Sequence, residues 1–141
     1  PPVTSWPFRP EQGGGRIINI VGIAGKEPSP AMMIPGITNS ALLNFTKSLS
    51  LELAKDNITV NAVNPGSTET PLTEAILGSL AVIQSKTPDE IRQAIASSNP
   101  FGRLALPEDV AAAVIFLASE TSVFISGISV NVDGGMFRGS A

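Results

Sequence analysis

The stretch that most constrains this chain is Thr59-Val60-Asn61-Ala62-Val63-Asn64-Pro65-Gly66-Ser67-Thr68-Glu69-Thr70-Pro71. Apolar and β-branched residues run up to Pro65-Gly66, where the chain has to turn. Thr70-Pro71 then has the form of a helix cap followed by a first-turn proline. A strand that stops at a small-residue turn and passes into a helix N-terminus is a building unit of open parallel sheets. Its crevice lies at the carboxyl end of the strand, where the free N–H groups of the helix favour an anion.

The same alternation extends both ways. Arg16 to Val21 reads as a strand apolar on both faces, as in a covered parallel sheet, and it ends in Gly22-Ile23-Ala24-Gly25. Lys26 to Pro35 carries Pro28, Pro30 and Pro35, which predicts no helix there, with Met32, Met33 and Ile34 packed against a neighbouring element. From Asn39 to Lys55 the period is helical. Ala41, Leu42, Phe45, Leu49 and Leu53 form one stripe, Thr38 or Asn39 is the expected cap, and Lys55-Asp56-Asn57 is the end. A strand over Ile58 to Val63 leads into the turn.

Beyond the turn, Leu72, Ile76, Leu80 and Val82 supply the apolar side of the helix that Thr70 caps. Thr87-Pro88-Asp89-Glu90 has the capping-box form, and Ile91, Ala94 and Ile95 make the following helix amphipathic. This pair of helices either closes over the crevice as a lid or simply packs on an edge. Pro107-Glu108-Asp109 opens a further helix with acidic residues where the dipole favours them, and Val110, Ala113, Val114 and Leu117 form its buried stripe. Gly127 to Val132 alternates as a half-covered or edge strand. The pattern is α/β, with about three parallel strands and flanking helices in one domain over residues 16–141. Residues 1–15 read as a flexible Pro/Gly-rich lead-in in which Val3, Trp6 and Phe8 are apolar without period. Gly13-Gly14-Gly15 precedes a strand, whereas a dinucleotide phosphate loop follows one.

Composition removes several chemistries. There is no Cys, no His and no Tyr, which excludes disulfides, thiolate or imidazole metal sites, a Ser-His-Asp triad and a phenolic acid or base. No metal site is expected, and the absence of Cys suits the cytoplasm. Net charge is −3 and Lys and Arg nowhere cluster, which argues against nucleic acid as a partner. The longest apolar run, Val110 to Ala118, is half of a membrane span, so no membrane partner is expected.

Five stretches together carry a family resemblance: GRIINI with IAG, LLNFTKSLSLELA, ITVNAVNPGSTETP, FGRLALPEDVAAAVIFLAS and ISGISVNVDGG. In this order and spacing the chain from Gly15 to Gly135 resembles the C-terminal half of a short-chain dehydrogenase/reductase. The resemblance implies half of a Rossmann-like doubly wound sheet, with NAD or NADP across its switch point. The family's N-terminal half, with its Gly-rich phosphate loop and ribose-reading residue, has no counterpart in this sequence. Cofactor binding by this chain alone is therefore expected to be poor, and its first strand is expected to present an unpaired apolar edge.

The resemblance also implies where catalysis would sit. The family's active Ser is the second residue of a Ser-Ser after the first strand, a position held here by Gly22. Its Tyr-x-x-x-Lys precedes Phe-Thr-Lys-Ser, which places Pro35 at the Tyr position and Asn39 at the Lys position. In the family Tyr moves the proton, Lys lowers the pKa of the phenol from about 10, and Ser donates to the developing oxyanion. None of these groups exists at the three positions, and Ser40, Thr38, Lys26 and Lys47 are the substitutes nearest in sequence. Pro65, Gly66, Ser67, Thr68 and Thr70 match the family segment that meets the cofactor, although any strand-to-helix turn calls for Pro, Gly and a Thr cap. Three functions stay open. The chain is a catalytically silent protein that associates with itself or with a complete dehydrogenase, an NAD(P)-dependent oxidoreductase of altered mechanism or completed by another chain, or a fragment of a longer member. Specificity would lie in the lid region, about Leu72 to Ser98.

Overall fold

A computed structural model describes residues 13–139, so the expectations for the lead-in up to Gln12 lie outside the described residues. Three strands form a parallel sheet in the order β1 (Gly15–Ile20), β2 (Ile58–Pro65), β3 (Ser129–Val132). The helices are α1 (Met33–Leu53), α2 (Pro71–Gln84), α3 (Pro88–Ser98) and α4 (Pro107–Ala118). Among the described residues β2 lies in the middle and is the most completely buried strand, with β1 and β3 as the outer strands. On one face Val60 and Ile58 pack with Leu53 of α1, joined by Ile17 and Leu49. On the other face α4 crosses all three strands and buries Leu117. This is the expected α/β sheet of three strands with flanking helices.

Two buried asparagines fix the relation of β3 to β2. The Asn61 side chain donates to Ile125 O (2.8 Å) and accepts from Ile128 N (3.3 Å), tying the loop ahead of β3 to the central strand. Asn64 and Asn131 are register partners further along, and Asn64 Nδ2 donates to Asn131 Oδ1 (3.0 Å).

Several local expectations are corrected. α1 begins at Met33, six residues before the helical period becomes visible at Asn39, and Pro35 sits inside its first turn. The N–H that proline lacks has no intrahelical acceptor at that position, so three nearby prolines do not forbid the helix. Neither Thr38 nor Asn39 caps it: the N-cap is Met32, with no side-chain bond, and Thr38 Oγ1 donates back to Ile34 O and Pro35 O. Met32, Met33 and Ile34 are exposed instead of packed. The buried face of α1 is Thr46, Ser50 and Leu53 with half-buried Leu42 and Leu49, while Ala41 and Phe45 face outward. Small polar residues can line a tight helix–sheet contact when their hydroxyls are satisfied, and those of Thr46 and Ser50 donate to Leu42 O and Lys47 O.

The inward side of α2 also differs. Leu77 and Ala81 are buried, whereas Leu72, Ile76 and Val82 are exposed. Leu77 and Ala81 meet Ile91 of α3, with Leu80 and Ile95 beside them, so the two helices share a small core separate from that of the sheet. The capping box of α3 is present in full: Glu90 N bonds to Thr87 Oγ1 (3.2 Å) and Thr87 N to Glu90 Oε2 (2.7 Å). The Thr87 N–H, and then the Thr87 hydroxyl, which also donates to Glu90 Oε2, hold the Glu90 carboxyl below its usual range. β2 runs two residues past the expected Val63, and β3 starts two residues after Gly127. The glycines before β1 are held in place, since Asn57 Nδ2 donates to Gly13 O and Gly15 N to Asn57 O. Asn57 adopts the left-handed conformation (φ 58°) that turns the end of α1 into β2.

Candidate functional site

The crevice opens at the carboxyl ends of the strands. Gly22 follows β1, Pro35 and Asn39 lie in the first two turns of α1, and Pro65 ends β2. Two of the three predicted catalytic positions are neighbours. A Cβ built on Gly22 would stand 2.8 Å from Asn39 Nδ2, so the asparagine amide occupies the room into which a side chain at position 22 would project. Gly22 has φ 154°, a conformation that glycine adopts without strain. Beside them Gly25 lies against the Asn39 and Ser40 backbone, and Ser40 Oγ donates to Gly25 O (2.8 Å), which occupies that hydroxyl. Pro35 brings no titratable group to the helix start.

Of the two candidate cations, Lys26 is engaged elsewhere and Lys47 lies beside the loop ahead of β3. Lys26 Nζ donates to Asn131 Oδ1 (3.1 Å) and lies 5.6 Å from the centre of the Phe137 ring. Lys47 runs past Gly127, ahead of β3, where its Nζ would lie 2.9 Å from a Cβ on that glycine. Sequence reasoning did not single out the cluster of Lys26, Asn64 and Asn131, in which Asn64 Oδ1 is buried without a partner. Its signal was an asparagine at the penultimate position of the strand Ile58–Pro65, facing another near the end of β3.

The turn after β2 gathers the predicted cofactor-binding residues on one continuous segment, which is pinned from outside. Ala105 N donates to Ser67 O and Glu69 N to Ala105 O, both 2.9 Å. A Cβ on Gly66 would stand 3.1 Å from Asp133, so close packing against the exit of β3 by itself favours a small residue there. The hydroxyls are largely used within the turn. Thr68 Oγ1 donates to Gly66 O (3.0 Å), Thr70 Oγ1 accepts from Thr73 N (3.2 Å), and Thr73 Oγ1 donates to Thr68 O. Thr70 is therefore the expected cap, with Pro71 at the first helical position. The exposed Ser67 hydroxyl and the first-turn N–H of Leu72, which has no intrahelical acceptor, are among the donors left for an anion. The segment fits a phosphate as a shallow floor and offers no enclosing loop.

α3 is anchored to this floor by Arg92, which pairs with both Glu69 in the turn and Glu74 in α2. The two carboxylates hold the guanidinium charged, well above its ordinary range. A cleft of about 430 Å³ lies between the start of α4 and the exit of β3, lined by Asn99, Arg103, Leu104, Asp109, Asn131 and Asp133. Its charged groups are paired: Arg103 grips Asp109 (2.6 and 3.2 Å), and the Asp133 carboxylate accepts from Gly135 N and Phe137 N. Arg103, and then the Leu106 N–H, keep the Asp109 carboxyl below the usual range. A second groove of about 710 Å³ follows the loop between β1 and α1 and is lined by Ala24, Pro28, Met32, Met33 and Ile37. Among the described residues no group of three or more His, Cys, Asp or Glu could hold a metal ion, and no helix is long and apolar enough to cross a membrane.

Comparison with known proteins gives this arrangement its family. A family model described as enoyl-(acyl carrier protein) reductase matches residues 6–137. The 4-formylbenzenesulfonate dehydrogenase of Comamonas testosteroni is 37% identical over 129 residues, 92% of this chain and 49% of the relative. The 3-oxoacyl-(acyl-carrier-protein) reductase FabG of Aquifex aeolicus is 40% identical over 127 residues, 90% of this chain and 47% of the relative. Among solved structures, L-sorbose reductase from Gluconobacter frateurii, complexed with NADPH and L-sorbose, superposes with a TM-score of 0.86 at 34% identity. That match covers 93% of this chain and 50% of the reductase. A short chain dehydrogenase family protein from Francisella tularensis gives 0.83 at 31% identity, over 86% and 50% of the two chains. This chain belongs to the short-chain dehydrogenase/reductase family, and it spans about half the length of the curated relatives it matches.

Proposed function

We propose that this chain is the C-terminal half of a short-chain dehydrogenase/reductase that has lost the family's proton relay, is catalytically silent on its own, and acts through association with another chain. The contact between Gly22 and Asn39 carries the reading. A neutral amide fills the space where the family keeps a hydroxyl, and the Lys position has thereby become the neighbour of a bare glycine. With Pro35 at the Tyr position, a ketone oxygen placed here would meet no group able to supply a proton. Loss of a general acid costs roughly 10²–10⁴-fold and loss of an oxyanion donor roughly 10²–10³-fold.

The turn from Pro65 to Thr70 is retained as the floor of a nicotinamide dinucleotide crevice, with Ser67 and the Leu72 N–H as its donors. NAD or NADP is the cofactor class by kinship, and the dinucleotide supplies hydride chemistry where a complete site holds it. The test uses the purified chain. NADH and NADPH titrated by fluorescence give no saturable binding below millimolar concentration, and a panel of ketones and alcohols is not turned over. Turnover at an ordinary rate, surviving removal of contaminating reductases, overturns the reading. The retained turn and its Thr70 cap favour a second reading, an oxidoreductase of altered mechanism completed by another chain, and turnover by such a complex would decide for it.

A further inference from the structure

We propose that residues 134–139 form a strap fastened across the strand ends by Lys26, and that this strap and the turn bearing Gly22 open together. The crevice then has two conditions, strapped and unstrapped, set by one ammonium group.

The exits of the three strands meet here. Lys26 follows the short helical turn Ile23–Gly25 after β1, and Gly66 leaves β2 packed against Asp133, which leaves β3. Asp133 is buried, and its carboxylate accepts from Gly135 N (3.0 Å) and Phe137 N (2.9 Å), which bends the chain back on itself. Gly134 (φ 64°) and Gly135 (φ 78°) supply the left-handed pair that the bend needs. The root of the strap is fixed. Asn99 Nδ2 donates to Asp133 O (2.9 Å), and a Cβ on Gly134 would collide with the Asn99 amide. Movement therefore starts at Gly135.

Lys26 holds the far end. Its Nζ lies 5.6 Å from the centre of the Phe137 ring, within the range at which a cation is drawn to an aromatic face, and it donates to Asn131 Oδ1 (3.1 Å). Among the described residues no carboxylate pairs with it. The turn on its other side is stiff. Gly25 N donates to Gly22 O (3.1 Å), and Lys26 N and Glu27 N both donate to Ile23 O (2.9 and 3.0 Å), so Gly22 and Lys26 move as one piece.

One buried group works against closure. Asn64 is fully buried, its Nδ2 shares Asn131 Oδ1 with Lys26, and its own Oδ1 has no partner. Withdrawal of Lys26 would let water approach that oxygen, and an unmet buried acceptor favours any such movement. Two modest contacts close the strap and one unmet group opposes them, which is the balance a reversible device requires.

Amide hydrogen exchange on the full chain, read residue by residue by NMR, tests the coupling. Lys26→Met removes the charge and is expected to speed exchange at Gly135 and Phe137 roughly 10-fold. Coupling is reciprocal, so Phe137→Leu should speed exchange at Lys26 and Glu27, near the other end of the chain, roughly threefold. Lys26→Arg keeps a cation over the ring and should leave Gly135 and Phe137 within about twofold of the parent. Unchanged rates at Gly135 and Phe137 in Lys26→Met, or at Lys26 and Glu27 in Phe137→Leu, overturn the strap. An Arg variant that exchanges as fast as the Met variant overturns the part given to charge. Should Lys26→Met speed the amides of β2 as well, the whole chain has loosened, and Phe137→Leu decides.

Discussion

Leu77→Ala separates the two cores. Leu77 is fully buried, but its partners are Ala81 and Ile91, with Leu80 and Ile95, all within the α2–α3 pair and none on the sheet. Truncating a buried leucine costs about 2–5 kcal/mol, and the small neighbour Ala81 lets the site partly collapse, which places the loss near the lower end, about 2–3 kcal/mol. If α2 and α3 open as a unit, that loss falls on their own opening equilibrium. At 1.4 kcal/mol per factor of ten, it raises exchange of their amides roughly 30- to 150-fold. Amides of β2, buried against Leu53 on one face and α4 on the other, should keep their rates within about threefold. Hydrogen exchange read by mass spectrometry on peptides from the two regions makes the comparison. An equal acceleration in α2–α3 and in β2 would mean that the two cores unfold together, and the separation argued here would be wrong.

Gly22→Ser is expected to destabilise by about 1–3 kcal/mol in urea titrations, because its Cβ meets the Asn39 amide and its φ of 154° disfavours a side chain. Gly22→Ser with Asn39→Ala should recover part of that loss. Thr70→Ala removes the cap of α2 and should cost about 1 kcal/mol, with thermal unfolding as the readout. Asp109 and Glu90 have carboxyls held below their ordinary values of 3.8 and 4.5, so their contribution is complete above that range. It fades as pH falls through the lower folded values, and Asp109→Asn should flatten the acid limb of the stability profile. Arg92→Met frees α3 from Glu69 and Glu74, and limited proteolysis should then cut within α2–α3 several-fold faster.

The order of elements was legible because period and punctuation agree along most of the chain. Thr70-Pro71, the Thr87–Glu90 box and the acidic start of α4 each name a helix N-terminus from local chemistry, and all three are where they were expected. Which side of a helix faces inward was less legible. In α1 the apolar residues outnumber the buried positions, and the sheet takes Thr46 and Ser50 while leaving Phe45 outside. Hydrophobicity alone cannot reveal that choice when part of the apolar surface has no partner within the described residues. The beginning of α1 was hidden by its prolines, since the rule against them applies to helix interiors and not to first turns. At the site, the spacing of Gly22, Pro35 and Asn39 could be counted, but the contact of the first with the third depends on how the loop between β1 and α1 folds back. The Lys26, Asn64 and Asn131 cluster joins three separate elements, and no local pattern announces such a meeting.

Asn61 gives the last strand its address. One amide reaches a carbonyl and an N–H three residues apart in the segment leading to β3, so a sliding of that strand by a single residue would break both bonds at once and reverse which side chains meet α4. A leucine there would satisfy the surrounding oil and forfeit the alignment. The alignment of the outer member would then rest on the backbone ladder and on the Asn64–Asn131 bond alone.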